Sequence, residues 1–418
     1  MRQILDYAMF LTRRAKLRKP SPIRELQKVI ARHPDIISLG GGMPNPETFP
    51  YAGMALTLRN GNTMQFSPAE LQKSLQYSPS RGIPEFVDIL QQLQVHYHGL
   101  DASPSLMVTT GSQDGLSKAF DCILERDDVV LVESPTYAGA LTALQSTEAT
   151  IVEVAMDSDG ILPNVLEETL MQLKSQNKRV KCLYTIPTGQ NPSGISTSLA
   201  RKQAIYALCA EHACLILEDD PYYFLTFANN GPPIPSYLSM DTAGLVLRFD
   251  SLSKVLSSGI RIGWVTGPEA LINALELSQQ ATALHTCGIA QVMCSTLLQQ
   301  WKIPGFQAHV TQVAALYAQR CQWMDTAIRT HCPSTLEWVL PTAGMFIWLR
   351  LPLPEGVDSA QIVYEDMVAA GVLMVPGGAF FPEQHGPTSY VRLSFSTASK
   401  EAMETAMQRL GDSLRQMK

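Results

Sequence analysis

The sequence of 418 residues has no pairing pattern for its eight cysteines. They stand at 122, 182, 209, 214, 287, 294, 321 and 332, with no Cys-x-x-Cys pair and no His-Cys cluster. That scatter speaks against a disulfide framework or a zinc site and for reduced, mostly buried thiols. Basic charge is not in excess either. A formal net charge of −6 gives no field for nucleic acid, although a local basic pocket for an anionic ligand stays open. No apolar run reaches the roughly 20 residues that span a bilayer, so no membrane partner is expected. Internal repeats and low-complexity linkers are missing. What is present, 45% hydrophobic and 17% charged residues, suits a globular enzyme long enough for two core-bearing lobes.

The first nineteen residues set Arg2, Arg13, Arg14, Lys16, Arg18 and Lys19 against a single acid, Asp6, among apolar Ile4, Leu5, Met9, Phe10 and Leu11. This composition resembles a mitochondrial presequence, and a structural N-terminal arm is the alternative. The basic residues follow the apolar stretch, which argues against secretion and for an intracellular location, in the mitochondrial matrix or the cytoplasm.

The middle of the chain alternates short apolar runs with helical patterns. Candidate strands are 106–110, 129–133, 150–155, 181–186, 214–218, 245–250 and 262–267. Most are continuous apolar runs, as expected of strands covered on both faces. In 114–124 the residues Leu116, Ala119, Phe120, Ile123 and Leu124 fall on one helix face. The order predicts an α/β fold: a large domain with a mostly parallel seven-stranded sheet between helices, at 61–330 including an inter-domain helix near 306–330. A smaller α+β domain is expected from 33–60 and 331–418, with strands at 346–351 and 390–396 and helices at 359–370 and 399–415. Residues 1–32 form an N-terminal arm, mobile near the active site, in this reading.

In an open α/β sheet, ligands collect at the carboxyl ends of the strands, and here those ends are unusually polar. Thr110-Gly111-Ser112-Gln113 opens a helix, where backbone N–H groups attract phosphate; a simple helix cap is the plainer explanation. Ser134-Pro135-Thr136-Tyr137 offers an aromatic that could stack on a flat ring or simply pack. Pro187-Thr188-Gly189-Gln190-Asn191-Pro192-Ser193-Gly194 is a turn that includes amides. Asp219 and Asp220 end a buried-looking strand, which is costly without a cationic or protonated partner. Ser251-Leu252-Ser253-Lys254, with Arg261 seven residues on, could hold a phosphate beside a reactive amine. Together these residues meet the needs of pyridoxal phosphate: a lysine for a Schiff base, a phosphate cup, a stacking aromatic and an acid for a ring nitrogen.

The segments 251–263, Asn191-Pro192-Ser193-Gly194 and Asp219…Tyr222 resemble the fold-type I pyridoxal-phosphate aminotransferases, over nearly the whole chain from Pro20 onward. Pro20-Ser21-Pro22-Ile23-Arg24, Leu75-Gln76-Tyr77-Ser78-Pro79, the stretch 218–225, Ser257-Ser258-Gly259-Ile260-Arg261-Ile262-Gly263 and Ala343-Gly344-Met345-Phe346 are most similar to the kynurenine/2-aminoadipate branch. The resemblance implies pyridoxal 5'-phosphate as cofactor, carried by Lys254, which also moves the proton. Asp219 would pair with the ring nitrogen, Asn191 and Tyr222 with the phenolic oxygen, and Tyr137 would stack on the ring. Ser112, Gln113, Ser251, Ser253 and Arg261 would hold the phosphate, helped across a homodimer interface by Tyr77. Arg392 would grip the substrate α-carboxylate and Arg24 its distal end, with Gly42, Met43, Tyr77, Asn191 and Phe346 on the substrate side. Two departures are mild: Ser193 stands where threonine is usual, and Met43 where mammalian members have leucine.

The implied reaction is a ping-pong transfer of an amino group from 2-aminoadipate, kynurenine or a similar large or aromatic amino acid to 2-oxoglutarate. Alternatives are a broad aromatic or branched-chain preference, and β-elimination on the same cofactor.

Overall fold

The computed structural model describes residues 6–416 apart from 34, 41, 228–232 and 384, and excludes the side chains of 27, 28, 30 and 31. Arg2, Ile4 and Leu5 of the basic N-terminal pattern lie outside the described residues. The strands, in chain order, begin with β1 (Ala55–Thr57), β2 (Thr63–Gln65), β3 (Leu106–Thr109), β4 (Asp128–Ser134), β5 (Thr150–Asp157), β6 (Gly160–Ile161) and β7 (Arg179–Thr185). They continue with β8 (Leu215–Asp219), β9 (Val246–Ser251), β10 (Gly263–Thr266), β11 (Phe346–Arg350), β12 (Val375–Pro376) and β13 (Tyr390–Ser394). Every expected strand is among them. β1, β2, β6 and β12, of two or three residues each, are too short to show a period and have no counterpart in the sequence reading.

The chain divides into two compact units, residues 1–125 with 241–308, and 126–240 with 309–418. In the first, β10 pairs antiparallel with β3 on one side and β9 on the other, so that Gly263 lies opposite both Thr109 and Ser251. All three strands are buried along their whole length, under the helices Ser112–Ile123 and Glu269–Thr282. The helix Ser112–Ile123 buries Leu116, Ala119, Phe120 and Ile123, the face its periodicity predicts. Residues of the basic N-terminal stretch pack on this helix. The Thr12 N–H donates to the Cys122 carbonyl at 2.8 Å, Arg18 pairs with Asp121, and Phe10 and Ala15 are buried.

In the second unit β8, β7, β4 and β5 lie side by side in that order, all parallel. β6 adds to β5 antiparallel. β5 is mostly half-buried or exposed, with Val154 fully buried. One extra residue interrupts the β4–β7 pairing. Val129 faces Val180, but Val130 faces Cys182, so Lys181 bulges out of register. A separate antiparallel sheet runs β11-β13-β12. These elements make an α/β fold with a mostly parallel central sheet and a smaller α+β part, as expected.

Two helices differ from their expected form. The one expected at 359–370 starts as Ser359–Gln361 and widens into a π-helical turn, Ile362–Met367, which keeps Ile362, Val363 and Met367 buried. The helix expected near 306–330 is the later part of Gly288–His331, which breaks at Lys302, φ 51°, two residues before Pro304. Proline has no N–H to give the preceding turn and disfavours helical geometry just before it.

The first unit also buries a charge pair. Arg248 is fully buried and donates through Nε and Nη2 to Asp250, itself buried, at 2.9–3.1 Å, while Gln94 Nε2 donates to Asp250 Oδ2 at 2.8 Å. Removing one member of such a pair strands the other in low dielectric. Asp250→Ala is therefore expected to lower the unfolding free energy by about 3–5 kcal/mol in urea titrations, whereas an exposed change such as Glu404→Ala leaves it within about 0.5 kcal/mol.

Candidate active site

The helix Ser112–Ile123 follows β3 through Gly111, whose φ of 83° suits glycine, and no side chain caps its first turn. A helix start of this kind can receive an anion. Arg261, itself at a positive φ of 56°, donates from Nη1 to Ser253 Oγ at 3.2 Å and from Nη2 to the Thr110 carbonyl at 3.3 Å. A Cβ on Gly111 would stand 2.3 Å from that Nη2, and one on Gly263 would stand 2.6 Å from the Ser112 nitrogen. The two glycines thus let a helix start, a guanidinium and a strand crowd one spot. Ser251 Oγ accepts the Ser253 N–H at 3.1 Å. Half-buried Lys254 follows in the turn, and Gln113 lies in the helix's first turn. The structure therefore gathers Ser112, Ser251, Ser253 and Arg261 as the sequence predicts. A cation, several hydroxyls and a helix N-terminus are groups that could hold a phosphate.

A second group in the same unit contains Arg24, which is buried rather than an exposed helix-start residue. Its Nη1 donates to the Ser78 carbonyl at 3.0 Å, and its Cζ lies 5.8 Å from the centre of the half-exposed Tyr77 ring. His285 meets Tyr77 edge-on and hydrogen-bonds Ser78 Oγ. Gly42 is exposed, with space for a side chain around it, and Met43 is half exposed.

In the second unit the predicted residues again converge. Arg392 Nη1 donates to Asn191 Oδ1 at 2.8 Å, and the guanidinium lies over the Phe346 and Phe380 rings at 4.2 and 4.9 Å. Burial lowers its proton affinity. Its Nε is buried and has no hydrogen-bond partner among the described residues. Tyr222 meets Phe346 edge-on; burial foremost, then the Asp219 charge, pushes its phenol well up. The Tyr137 ring lies against Gly139, where a Cβ would stand 2.4 Å from it. Asp219 ends β8, buried, and accepts a hydrogen bond from the Tyr184 hydroxyl at 2.8 Å.

Three residues around this group have no predicted role. Tyr184 lies in a run that reads as buried strand, where an aromatic passes for core. Glu133 is an acid near the end of β4 and Gln190 an amide among turn residues, and they signal function only when seen to meet. Buried Glu133 accepts from Thr185 Oγ1, the Ile186 N–H and Gln190 Nε2. Gln190 also donates to the Pro135 carbonyl at 2.7 Å and accepts the Ser193 N–H at 2.8 Å. It thereby ties the loop of Tyr137 to that of Asn191.

Known proteins resemble the chain over nearly its whole length. The family "Aminotransferase class I and II" matches residues 59–410. The kynurenine/alpha-aminoadipate aminotransferase, mitochondrial, of Bos taurus is 40% identical, covering 99% of this chain and 100% of its own length. Among solved structures, the Pyrococcus horikoshii kynurenine aminotransferase has a TM-score of 0.78 at 30% identity, covering 99% of this chain and 98% of its own. Aminotransferase Aro8 from Candida albicans has a TM-score of 0.89 at 25% identity, covering 100% and 99%.

Two outcomes follow from the site. Gly111→Ala drives a methyl group into the Arg261 guanidinium and strains a positive φ, so pyridoxal phosphate should bind at least about tenfold more weakly by fluorescence quenching. Burial, opposed by its hydrogen bonds, pushes Glu133 from 4.5 up to about 7. Between those pH values the folded chain holds a proton that the unfolded chain has lost, so stability falls as pH rises. Across that interval wild type should lose about 3 kcal/mol relative to Glu133→Gln in denaturant unfolding; parallel curves would refute the shift.

Proposed function

Because the chain belongs to the class I and II aminotransferases, we propose that it moves the amino group of 2-aminoadipate, kynurenine or a similar large or aromatic amino acid to 2-oxoglutarate. Its cofactor is pyridoxal 5'-phosphate, and it uses an amino acid donor and a 2-oxo acid acceptor. The observation that carries the reading is Arg392. Its half-buried guanidinium lies over aromatic rings with Nε unpartnered among the described residues, a setting that fits a bidentate substrate carboxylate.

The donor sets fit the cofactor. Ser112, Gln113, Ser251, Ser253 and Arg261 would hold its phosphate, Asp219 its ring nitrogen, Asn191 and Tyr222 its phenolic oxygen, and Tyr137 its ring face. When bound, the cofactor supplies an electron sink for the pair left at Cα. Lys254 would anchor it, and as a free amine would take the proton from the substrate Cα and carry it to the cofactor's C4′. Asp219, ionised, keeps the ring nitrogen protonated. Arg392 would orient the α-carboxylate and Arg24 would meet the distal end of the substrate, with Gly42, Tyr77 and Phe346 as further substrate-side residues.

The protein acts as a homodimer in this reading, with half-exposed Tyr77 completing the site of the second copy. Residues 1–32 serve as a mobile arm. Residues 33–60 with 331–418 form the small domain, and 61–330 form the cofactor domain. No helix among the described residues is long and apolar enough to cross a membrane. With a relative named mitochondrial, the mitochondrial matrix, or else the cytoplasm, is the proposed location.

Visible absorption and a donor panel test the reading together. Purified protein should carry a borohydride-reducible band that Lys254→Ala lacks, and 2-aminoadipate and kynurenine should be consumed with 2-oxoglutarate. An unchanged spectrum in Lys254→Ala would end the cofactor assignment. Turnover of other donors alone would end the substrate assignment.

A further inference from the structure

β7 stands between β4 and β8, and each neighbour brings a buried acid to the end of the sheet: Glu133 on β4 and Asp219 on β8. Successive groups at the end of β7 serve them separately. The Tyr184 hydroxyl donates to Asp219 Oδ2 at 2.8 Å, while Thr185 Oγ1 and the Ile186 N–H donate to Glu133. Tyr184 is fully buried, so water does not compete for this bond. We propose that Tyr184 is a positioning residue for the reaction: its hydroxyl fixes the orientation of the Asp219 carboxylate and keeps it the ionised member of a buried pair of acids. The inference rests on the reading of Asp219 as the partner of the cofactor's ring nitrogen.

Two buried acids whose charges interact do not share ionisation evenly, and their surroundings decide which one keeps a proton. Burial, opposed by its hydrogen bonds and helped by the Asp219 charge, raises the proton affinity of Glu133 to about 7. The phenols around the pair do not relieve it by ionising: burial holds Tyr184, Tyr222 and Tyr237 well above the ordinary tyrosine range. Tyr137 contributes a further phenol, and Arg392 is the cation that acts on Tyr222. A neutral phenol donating to a carboxylate stabilises its charged form, so Tyr184 favours the ionised state at Asp219. The proton of the pair is left to Glu133.

The test is the Tyr184→Phe holoenzyme, in which the ring still fills its place and only the hydroxyl is lost. The freed carboxylate gains proton affinity and draws the ring-nitrogen proton toward itself. The ring becomes less electron-poor, and the lysine-bound cofactor holds its own proton more tightly. The pH midpoint of its visible band should therefore move up by about one unit. For 2-aminoadipate kcat should fall about tenfold or more, with KM within about threefold.

A fluorinated tyrosine at position 184 is a stronger donor and should move the midpoint down, which tests the bond even if the Phe variant fails to fold. Midpoints unchanged in folded variants would overturn the proposal. A wild type that binds the cofactor yet transfers no amino group would instead overturn the proposed function, while the spectral midpoint still reports on Tyr184.

Discussion

Taking a carboxylate out of water costs several kcal/mol unless donors replace the lost hydration, and much of the second unit is arranged around that requirement at Asp219. The acid ends β8 because a parallel sheet brings its strand ends to one edge, where ligands gather. β7 must then carry a hydroxyl at the right height, and Tyr184 supplies it. Glu133 one strand further makes the requirement harsher, since a second charge nearby would push the first toward neutrality. Gln190 is one of the donors on Glu133, and through it the same network reaches the loops of Tyr137 and Asn191. The electrostatics of one acid and the placement of its neighbours are therefore one problem with one solution.

The first unit answers a different need. Its cup is made largely of backbone: an uncapped helix start, a glycine at positive φ, and a second glycine where two strands and a helix meet. Arg261 is held there by its own left-handed backbone and by contacts to Ser253 and Thr110. Side chains alone would not crowd so many donors together, which is why glycine at 111 and 263 matters as much as the arginine they accommodate.

Much of this could be read in the sequence. Buried strands appear as short apolar runs bounded by turn residues, and the polar groups after them are conspicuous because charge is expensive there. Ser253, Lys254 and Arg261 could be grouped from spacing, and Asn191 with Asp219 from resemblance. Tyr184 could not, since a buried tyrosine in an apolar strand has the same one-dimensional signature whether its hydroxyl has a task or not. Glu133 and Gln190 lie 57 residues apart in the chain, and only pairing of β4 with β7 brings them together. The π-helical turn at 362–367 depends on which residues must be buried at once, and a 3.6-residue period does not reveal that. The break at Lys302 is foreshadowed by Pro304, but the helix before it is not.

The bulge at Lys181 has a further consequence. Continuing the pairing from Val129 and Val180 with Lys181 in the ladder, without a bulge, would bring Tyr184 level with Glu133. With it, Val132 faces Tyr184, and Glu133 falls level with Thr185. The bulge thus works as a phase adjuster, set at the far end of the strand, that decides which hydroxyl serves which acid. Point substitutions at Lys181 leave that phase intact. Drawing Lys181 into the ladder would exchange the two donors while every side chain kept its identity, whereas deleting it would remove the bulge and leave both pairings as they are, so in this strand the pairing carries information that the chemistry of the residues does not.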